Sequence, residues 1–304
     1  MFDSIWQDIK REFNHGNMVS RLVIANVAVF VAFALVWLVA FLLRQGEVAH
    51  YFEDFLGFSS NWRKAMWRPW SPLTSMFLHV GFWHLLWNML ALYWFGRIVG
   101  DLIGDNRVLP LYLIGGLGGG LLYFVGINIY AGDFGYDHVA YGASAAVAAI
   151  MVTAGFLAPD YNMRLLFLGN VKLKYIVAVV LLLFVLNLAG QHNTGGQFAH
   201  LGGAIMGYVF FQQLRSGNDW SVPVNRWLDW MSNLFSTKKN RKHTRVVWRN
   251  PKQPPSREKR PAPPSSGLDQ SRIDAILDKI KEHGYENLTP EEKEDLFNAS
   301  KKQK

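Results

Sequence analysis

The sequence of 304 residues contains no cysteine and few charged residues. The absence of cysteine excludes disulfide bonds, thiolate metal ligands and thiol nucleophiles, and with them zinc ribbons and cysteine proteases. Charged residues make up 18% of the chain and hydrophobic residues 50%, while the formal net charge is +8. This combination predicts a membrane protein that carries a basic soluble part.

The basic residues concentrate after residue 215 and beside the apolar segments. This placement fits attraction to anionic lipid headgroups, so the lipid bilayer is a predicted partner and nucleic acid is not. The N-terminal stretch MFDSIWQDIKREF is polar and amphipathic, and the first apolar run is longer than the hydrophobic region of a signal peptide. We therefore expect no cleavable signal peptide.

Long apolar runs predict helices that cross the membrane. Residues 21–43 form a nearly uncharged run, longer than the roughly 20 residues that span a bilayer core. Shorter or glycine-interrupted apolar segments follow near residues 79–97, 108–130, 141–158, 173–189 and 197–214. We predict an all-α fold, a polytopic bundle of six transmembrane helices followed by a short C-terminal helical hairpin.

Loop charges predict the orientation of this bundle. One set of alternate loops and the segment before span one carry the basic residues Lys10, Arg11, Arg21, Arg97, Arg107, Arg164, Lys172 and Lys174. By the positive-inside rule both termini are predicted to be cytoplasmic. The first outer loop, residues 44–78, departs from this rule because it also carries lysine and arginine.

The chain divides into five predicted parts. Residues 1–20 form a cytoplasmic segment, and residues 21–215 form the six-helix domain. Residues 216–249 combine an aromatic amphipathic pattern with a basic run and predict a membrane-surface segment, with a packed soluble helix as the open alternative. Residues 250–268 are rich in proline and serine, which is typical of a disordered linker. Residues 269–304 form the last part.

The sequence of residues 269–304 predicts a helical hairpin. Apolar residues recur at helical spacing over residues 273–280, and Gly284 follows as a stop signal. Thr289 and Glu292 then form a capping box, with proline between them at the first helical position. The hairpin is too small to be an enzyme, and we interpret it as a docking module for an unidentified partner.

Polar and ionisable residues inside membrane spans are costly, which makes them candidates for function. Ser144 lies in YGASA at the start of span four, and His200 lies in AHLGG in span six. An imidazole can take a serine proton and return it to a leaving amine, so the pair is a candidate nucleophile and general base. Gly203 and Gly207 give span six a small-residue face, which we expect to pack closely on span four.

His84 and Asn88 lie four residues apart, on one face of span two. Both can donate an N–H group to a substrate carbonyl oxygen, and the backbone N–H of Ser144 is a third candidate donor. Each residue also has a structural interpretation, because small residues let helices approach and a membrane histidine or asparagine can bond a neighbouring helix. The shared depth of these features favours a catalytic site.

Other classes of function lack the residues they need. The glycine-rich run of residues 115–120 precedes no βαβ unit, so it predicts a helix-packing surface and not a dinucleotide site. No H-E-x-x-H motif and no acid accompany the histidines of span two, so we expect neither a metal nor an organic cofactor. An aspartyl protease needs a second membrane aspartate and a transporter needs inverted repeats, and the sequence shows neither feature.

Three motifs, PWSPLTSMFLHVGFWHLLWNML, YGASAAV and AHLGGAIMG, resemble in their order the rhomboid family of intramembrane serine proteases. The resemblance covers residues 15–215 and implies a six-helix bundle that holds a Ser–His dyad, with no third acid, in a water-filled cavity opening outward. It implies that Ser144 is the nucleophile, His200 the base, and His84 and Asn88 the side chains of the oxyanion hole.

The resemblance also implies roles for neighbouring residues. His79 takes a supporting role near the cavity rim, and Gly142 keeps the turn before the serine open. Three positions depart from the family pattern: Ala145 follows the nucleophile where glycine is usual, Ala148 stands where an aromatic residue often lies under the base, and Ser71 follows Trp70 where the family has a Trp-Arg pair. These departures leave room for a reduced rate or an altered specificity.

A serine endopeptidase that cleaves transmembrane or membrane-proximal segments of other membrane proteins is the function that the resemblance implies. It implies a multi-pass protein of the bacterial inner membrane, whose active site opens to the outer side. Residues 269–304 are similar to an accessory module of some bacterial rhomboids. The alternative is a catalytically weak rhomboid-like protein that binds transmembrane helices without cleaving them.

Overall fold

The structure is a computed structural model, and it describes residues 2–131, 137–165, 169–189, 193–235 and 270–301. The chain forms two compact units, Met1–Lys239 and Asn240–Lys304. The predicted linker of residues 250–268 and the basic run before it lie outside the described residues.

The first unit is largely helical. Its described helices are α1 (Phe2–His15), α2 (Met18–Leu42), α3 (Gly46–Leu56), α4 (Trp62–Trp67), α5 (Ser71–Thr74), α6 (Phe82–Ile103), α7 (Val108–Ala131), α8 (Ser144–Leu157), α9 (Leu173–Ala189), α10 (Thr194–Arg215) and α11 (Ser221–Phe235). Helices α2, α6, α7, α8, α9 and α10 occupy the six predicted apolar segments. The prediction of a helix at each of these segments is confirmed.

Length and hydropathy separate these six helices. Within the described part of the chain, Met18–Leu42 and Asp105–Tyr130 are long and apolar enough to cross a bilayer. Ser144–Leu157 and Leu173–Leu188 are apolar but shorter. Helices α6 and α10 carry the polar residues of the candidate site, which lower their mean hydropathy. The count of six spanning helices therefore stays a prediction.

Helix α8 lies at the centre of the first unit. Residues 145–155 are all buried, and nearly all of them are small or aliphatic. A β-carbon on Gly203 of α10 would lie 2.0 Å from the carbonyl oxygen of Ala145, and one on Gly207 would lie 2.2 Å from that of Ala149. Only glycine permits the backbones of α8 and α10 to come this close.

Helix α7 approaches α8 in the same way from another side. A β-carbon on Gly115 would lie 2.2 Å from the Ala149 methyl group, and one on Gly119 would lie 2.4 Å from the Ala145 methyl group. The glycine-rich run is therefore a helix-packing surface, as predicted. The methyl group of Ala145, the residue after Ser144, has room because Gly119 lies opposite it.

Short β-strands also occur, which the all-α prediction missed. Strand β1 (Phe58–Ser59) pairs antiparallel with β2 (Val139–Ala140), and β3 (Asn162–Leu165) pairs antiparallel with β4 (Gly169–Lys172). Strands of two to four residues are too short to show the alternation that identifies a strand in a sequence. The β1–β2 pair joins the segment of residues 44–78 to the segment that precedes Ser144.

The segment of residues 44–78, predicted as the first outer loop, contains α3, α4 and α5, which together are called the cap. Arg68 lies 2.7 Å from Asp54, while Lys64 contacts both Asp54 and Asp137. Burial raises the pKa of Asp54, but the hydrogen bonds from Arg68 and Lys64 outweigh burial and hold that pKa below its usual 3.8. These pairs neutralise two of the basic residues that departed from the positive-inside rule.

Polar contacts tie α11 to the rest of the unit. Arg107 lies 2.8 Å from Asp219, just before α11, and the Asn225 side chain donates to a backbone carbonyl at 3.0 Å. Val224 and Leu228 pack against the hydrophobic core, whereas Trp227, Trp230 and Leu234 are exposed. One face of α11 is therefore packed and the other presents aromatic residues outward, and its position at a membrane surface stays a prediction.

The second unit contains α12 (Gln270–His283), a 3₁₀ turn and α13 (Pro290–Lys301). The Glu292 carboxylate accepts from the Thr289 N–H at 2.8 Å, and the Glu292 N–H donates to the Thr289 hydroxyl at 3.3 Å. The predicted capping box is thus confirmed, as is the helical hairpin. Ile276 and Leu288 are the buried apolar residues of this unit.

Candidate active site

Ser144 and His200 are in direct contact. Ser144 is the first residue of α8, and His200 lies in the second turn of α10. The Nε2 atom of His200 is 2.8 Å from the Oγ atom of Ser144, and both residues are half-buried. A nucleophile and base at this distance can exchange a proton directly.

The turn before Ser144 has a backbone that demands glycine. Gly142 has φ +115°, and a β-carbon there would lie 2.6 Å from the Cε1 atom of His84. The Gly142 N–H donates to the carbonyl of Ser75 at 2.8 Å, and the Ala143 N–H donates to Nε2 of His79 at 3.3 Å. Two consecutive N–H groups therefore fix the turn that presents the serine.

His79 is placed differently from the expectation. It lies three residues before α6 and not inside the helix, and it is fully buried and not at the cavity rim. Its Nδ1 atom is 3.3 Å from the carbonyl oxygen of Phe77, and its ring centroid is 5.1 Å from that of His84. The imidazole bridges two backbone segments, which positions the turn before Ser144.

The two candidate oxyanion donors occupy different positions. His84 lies in the wall of the cavity that contains Ser144, whereas Asn88 is buried one turn further along α6. The Asn88 side-chain amide donates to the carbonyl oxygen of His84 at 2.8 Å. The Ser144 N–H opens α8, so it has no acceptor within the helix and is free to bind an oxyanion.

The cavity around these residues has a volume of about 860 Å³. This volume falls within the roughly 300–1,000 Å³ of typical ligand sites. Its wall is formed by one face of α7, the segment before Ser144 and the start of α10, including Gly116, Gly120, Tyr123, Ile127, His138, Tyr141 and Gly196. The wall is largely apolar.

No carboxylate belongs to the wall of this cavity among the residues that the structure describes. Nor do the described residues contain a cluster of three or more histidine and acidic residues that is able to hold a metal ion. The polar groups in contact here are a hydroxyl and imidazoles. Their arrangement suits nucleophilic attack on a carbonyl carbon with proton transfer through histidine.

Sequence reasoning missed two neighbours of His200. The ring of Phe184, on α9, lies 4.7 Å from the imidazole, centroid to centroid, at an angle of 38°. The Oε1 atom of Gln197 lies 3.4 Å from Nδ1 of His200. The spacing of Gln197, three residues before the histidine on one helix, is a signal that the sequence contains. No pattern in the sequence indicates Phe184, because its contact depends on how α9 packs.

Comparison with known protein families gives two matches. Residues 66–216 match the Rhomboid domain, and residues 267–302 match a family of unknown function, DUF6576. The first range contains Ser144, His200, His84 and Asn88, and the second contains the helical hairpin.

Curated proteins with similar sequences include plant, bacterial and yeast members. The chain is 29% identical over 223 residues to RHOMBOID-like protein 12, mitochondrial, of Arabidopsis thaliana, a match that covers 70% of this chain and 62% of the relative. It is 31% identical over 140 residues to Rhomboid protease GluP of Bacillus subtilis, covering 46% and 25%. It is 30% identical over 156 residues to Rhomboid protein 1, mitochondrial, of Saccharomyces cerevisiae, covering 46% and 40%. The chain spans less than two thirds of the length of each relative.

Proposed function

Since this chain belongs to the rhomboid family, whose domain it carries over residues 66–216, we propose that it is an intramembrane serine endopeptidase. Its substrates are other membrane proteins, cut in or beside their transmembrane segments. The observation that carries the proposal is the 2.8 Å contact between His200 Nε2 and Ser144 Oγ in the wall of a large cavity. The printed name of the Bacillus subtilis relative, Rhomboid protease GluP, also supports a proteolytic activity.

Acylation begins at the serine hydroxyl. His200 accepts its proton through Nε2 while Oγ forms a bond to the substrate carbonyl carbon, which gives a tetrahedral oxyanion. The Ser144 N–H and His84 donate to that oxygen, and Asn88 adds a third donor when its amide turns from the His84 carbonyl. His200 then gives the proton to the departing amine, and the peptide C–N bond breaks.

Deacylation uses the same base. Water loses a proton to His200 and attacks the acyl carbon, and the serine oxygen leaves and recovers that proton. The product is a new carboxyl terminus on the substrate. No step requires an acidic residue as a third partner of Ser144 and His200, and none requires a metal or an organic cofactor.

The membrane setting restricts the substrate. Backbone carbonyls of a transmembrane helix are occupied by intrahelical hydrogen bonds, so a helical segment must unwind before a carbonyl can reach Ser144. Small or helix-breaking residues near the end of the substrate helix lower the cost of unwinding. Membrane proteins with such segments are therefore the proposed substrates.

The alternative is a protein that binds transmembrane helices without cleaving them. Several relatives carry the name RHOMBOID-like, which is compatible with this alternative. The short distance between Ser144 and His200 favours the enzyme, since a binding protein has no need of a nucleophile and a base in contact.

Rhomboid proteins are membrane-embedded, and this chain shares that setting. The relatives include proteins named mitochondrial as well as a bacterial one, so they do not favour the bacterial inner membrane over a mitochondrial one. The cytoplasmic termini and a site that opens outward stay predictions, with loop charge as their support. The bacterial inner membrane stays a prediction that rests on the family resemblance alone.

A serine-directed fluorophosphonate tests the proposed chemistry. The purified full chain should be labelled at Ser144, because the probe reacts only with a serine whose proton is removed by a base. Ser144→Ala should abolish labelling, and His200→Ala should lower its rate by about 100-fold or more. Equal labelling of all three proteins, or none of the wild type, contradicts the proposal.

A further inference from the structure

The orientation of the His200 imidazole depends on side chains other than Ser144. Ala148, at the position where rhomboids often place an aromatic residue under the base, has only a methyl group and is buried within α8. An imidazole that is free to rotate spends less time with Nε2 directed at the serine, which slows proton transfer. Besides Ser144, the side chains of Phe184 and Gln197 contact the ring.

Phe184 is the residue of α9 that faces the base. Its neighbours Leu182, Leu183, Val185 and Leu186 are exposed, whereas Phe184 is partly buried and packs against the core. Its ring covers the imidazole at a centroid distance of 4.7 Å and a tilt of 38°. A ring in this position restricts rotation of the imidazole about its side-chain bonds.

Gln197 contacts the other nitrogen of the base. Its side chain is buried, and its Oε1 atom lies 3.4 Å from Nδ1 of His200. When Nδ1 carries the proton and donates it to this oxygen, Nε2 keeps the lone pair that accepts the Ser144 proton. An uncharged amide thus takes the orienting role that a carboxylate has in three-residue serine proteases.

We propose that Phe184 and Gln197 are positioning residues that together fix the orientation and the tautomer of His200, in place of an aromatic residue on α8. This inference rests on the proposed function. Neither residue belongs to the cavity wall, so both act through the histidine and not on the substrate.

The test compares side chains at position 184 in the full-length protein. Phe184→Ala and Phe184→Leu should slow fluorophosphonate labelling and lower kcat, by about 10- to 100-fold, with little change in KM. Phe184→Tyr keeps the ring and should restore the rate. Leu186→Ala, which shortens an exposed side chain on the same helix, is the matched control and should behave as the wild type.

Position 197 is tested by spectroscopy as well as rate. In protein with ¹⁵N-labelled histidine, His200 should give the Nδ1–H tautomer, and Gln197→Ala should shift it towards a mixture of tautomers. Gln197→Glu retains an acceptor oxygen and should retain the Nδ1–H form. A wild-type rate in both Phe184→Leu and Gln197→Ala, or an unchanged tautomer in Gln197→Ala, overturns the inference.

The two proposals fail in different ways. If the wild type is not labelled at all, the proposed function is wrong, and the tautomer measurement still tests the positioning role. If the wild type is labelled and the Phe184 and Gln197 variants match it in rate and thermal stability, the positioning role is wrong and the function stands. A rise in KM with unchanged kcat in the Phe184 and Gln197 variants, but not in Leu186→Ala, also overturns the inference, because it indicates a substrate contact.

Discussion

At the residue scale, the backbone turn before Ser144, the proposed nucleophile, depends on a single glycine. Gly142 adopts φ +115°, a region that side chains rarely enter, and the ring of His84 occupies the space that a β-carbon needs. The same backbone presents its N–H to Ser75, and the next N–H goes to His79. The position of Ser144 is therefore set by backbone conformation as much as by its own contacts.

Gly142→Ala should damage the site more than the fold. The added methyl group must displace His84 and strain the backbone, at a cost of about 1–3 kcal/mol. We expect at least a tenfold slower fluorophosphonate labelling, with the rate of labelling as the measurement. Gly217→Ala is the control, because Gly217 has φ +85° and no atoms within 4 Å of an added β-carbon. Equal labelling of the two variants would contradict this, because it would show that the His84 ring moves aside without slowing the reaction.

The sequence indicates some of these residues and hides others. A serine among small residues and a histidine followed by spaced glycines are visible in the sequence, and so is the i, i+4 spacing of His84 and Asn88. The contact of Phe184 with the base is not visible, because every apolar residue of α9 fits a membrane helix equally well. The burial of His79 was also hidden, since its place depends on where α6 begins.

At the element scale, apolar runs in the sequence identify the six long helices well, but no comparable pattern identifies the short helices and strands between them. Each of the six predicted segments contains a helix, with ends that differ by a few residues. Helices α3, α4 and α5 are short and irregular in pattern, and β1 and β2 exist only because two distant loops pair. Pairing between distant segments leaves no local pattern in the sequence, so these short elements were not predicted.

The stability of the cap also depends on its ion pairs, which gives it a pH dependence. The folded-state pKa of Asp54 lies below the usual 3.8 because Arg68 and Lys64 outweigh the effect of burial. A lowered pKa means that the carboxylate stabilises the fold above pH 3.8, and that this contribution is lost as the pH falls through the folded-state pKa. Lys64 shows the opposite sign, since its hydrogen bond to Asp137 raises its pKa above 10.5.

Hydrogen exchange in residues 46–74 measures this effect. Exchange should accelerate as the pH falls from neutral to below 3.8, after correction for intrinsic rates, because the Asp54 contacts are lost on protonation. Asp54→Asn should exchange faster at neutral pH and show a weaker change over the same range. A wild-type loop whose corrected exchange is independent of pH would contradict the role of these ion pairs.

At the scale of the whole molecule, the residues of the proposed catalytic site all lie in the first unit. The candidate nucleophile, base and oxyanion donors all lie within the Rhomboid domain match of residues 66–216. The hairpin of the second unit matches a separate family of unknown function over residues 267–302. Its capping box was visible in the sequence because it depends on residues three apart, whereas its partner depends on a molecule outside the chain.

Cleavage in lipid vesicles tests the central claim most directly. The wild type is reconstituted with a model protein that has one transmembrane helix, with glycine and serine near its outer end, beside Ser144→Ala and a chain truncated after Lys239. The account predicts cleavage within or beside that helix by the wild type and by the truncated chain, and none by Ser144→Ala. Intact substrate with the correctly inserted wild type, or equal cleavage by Ser144→Ala, would contradict it.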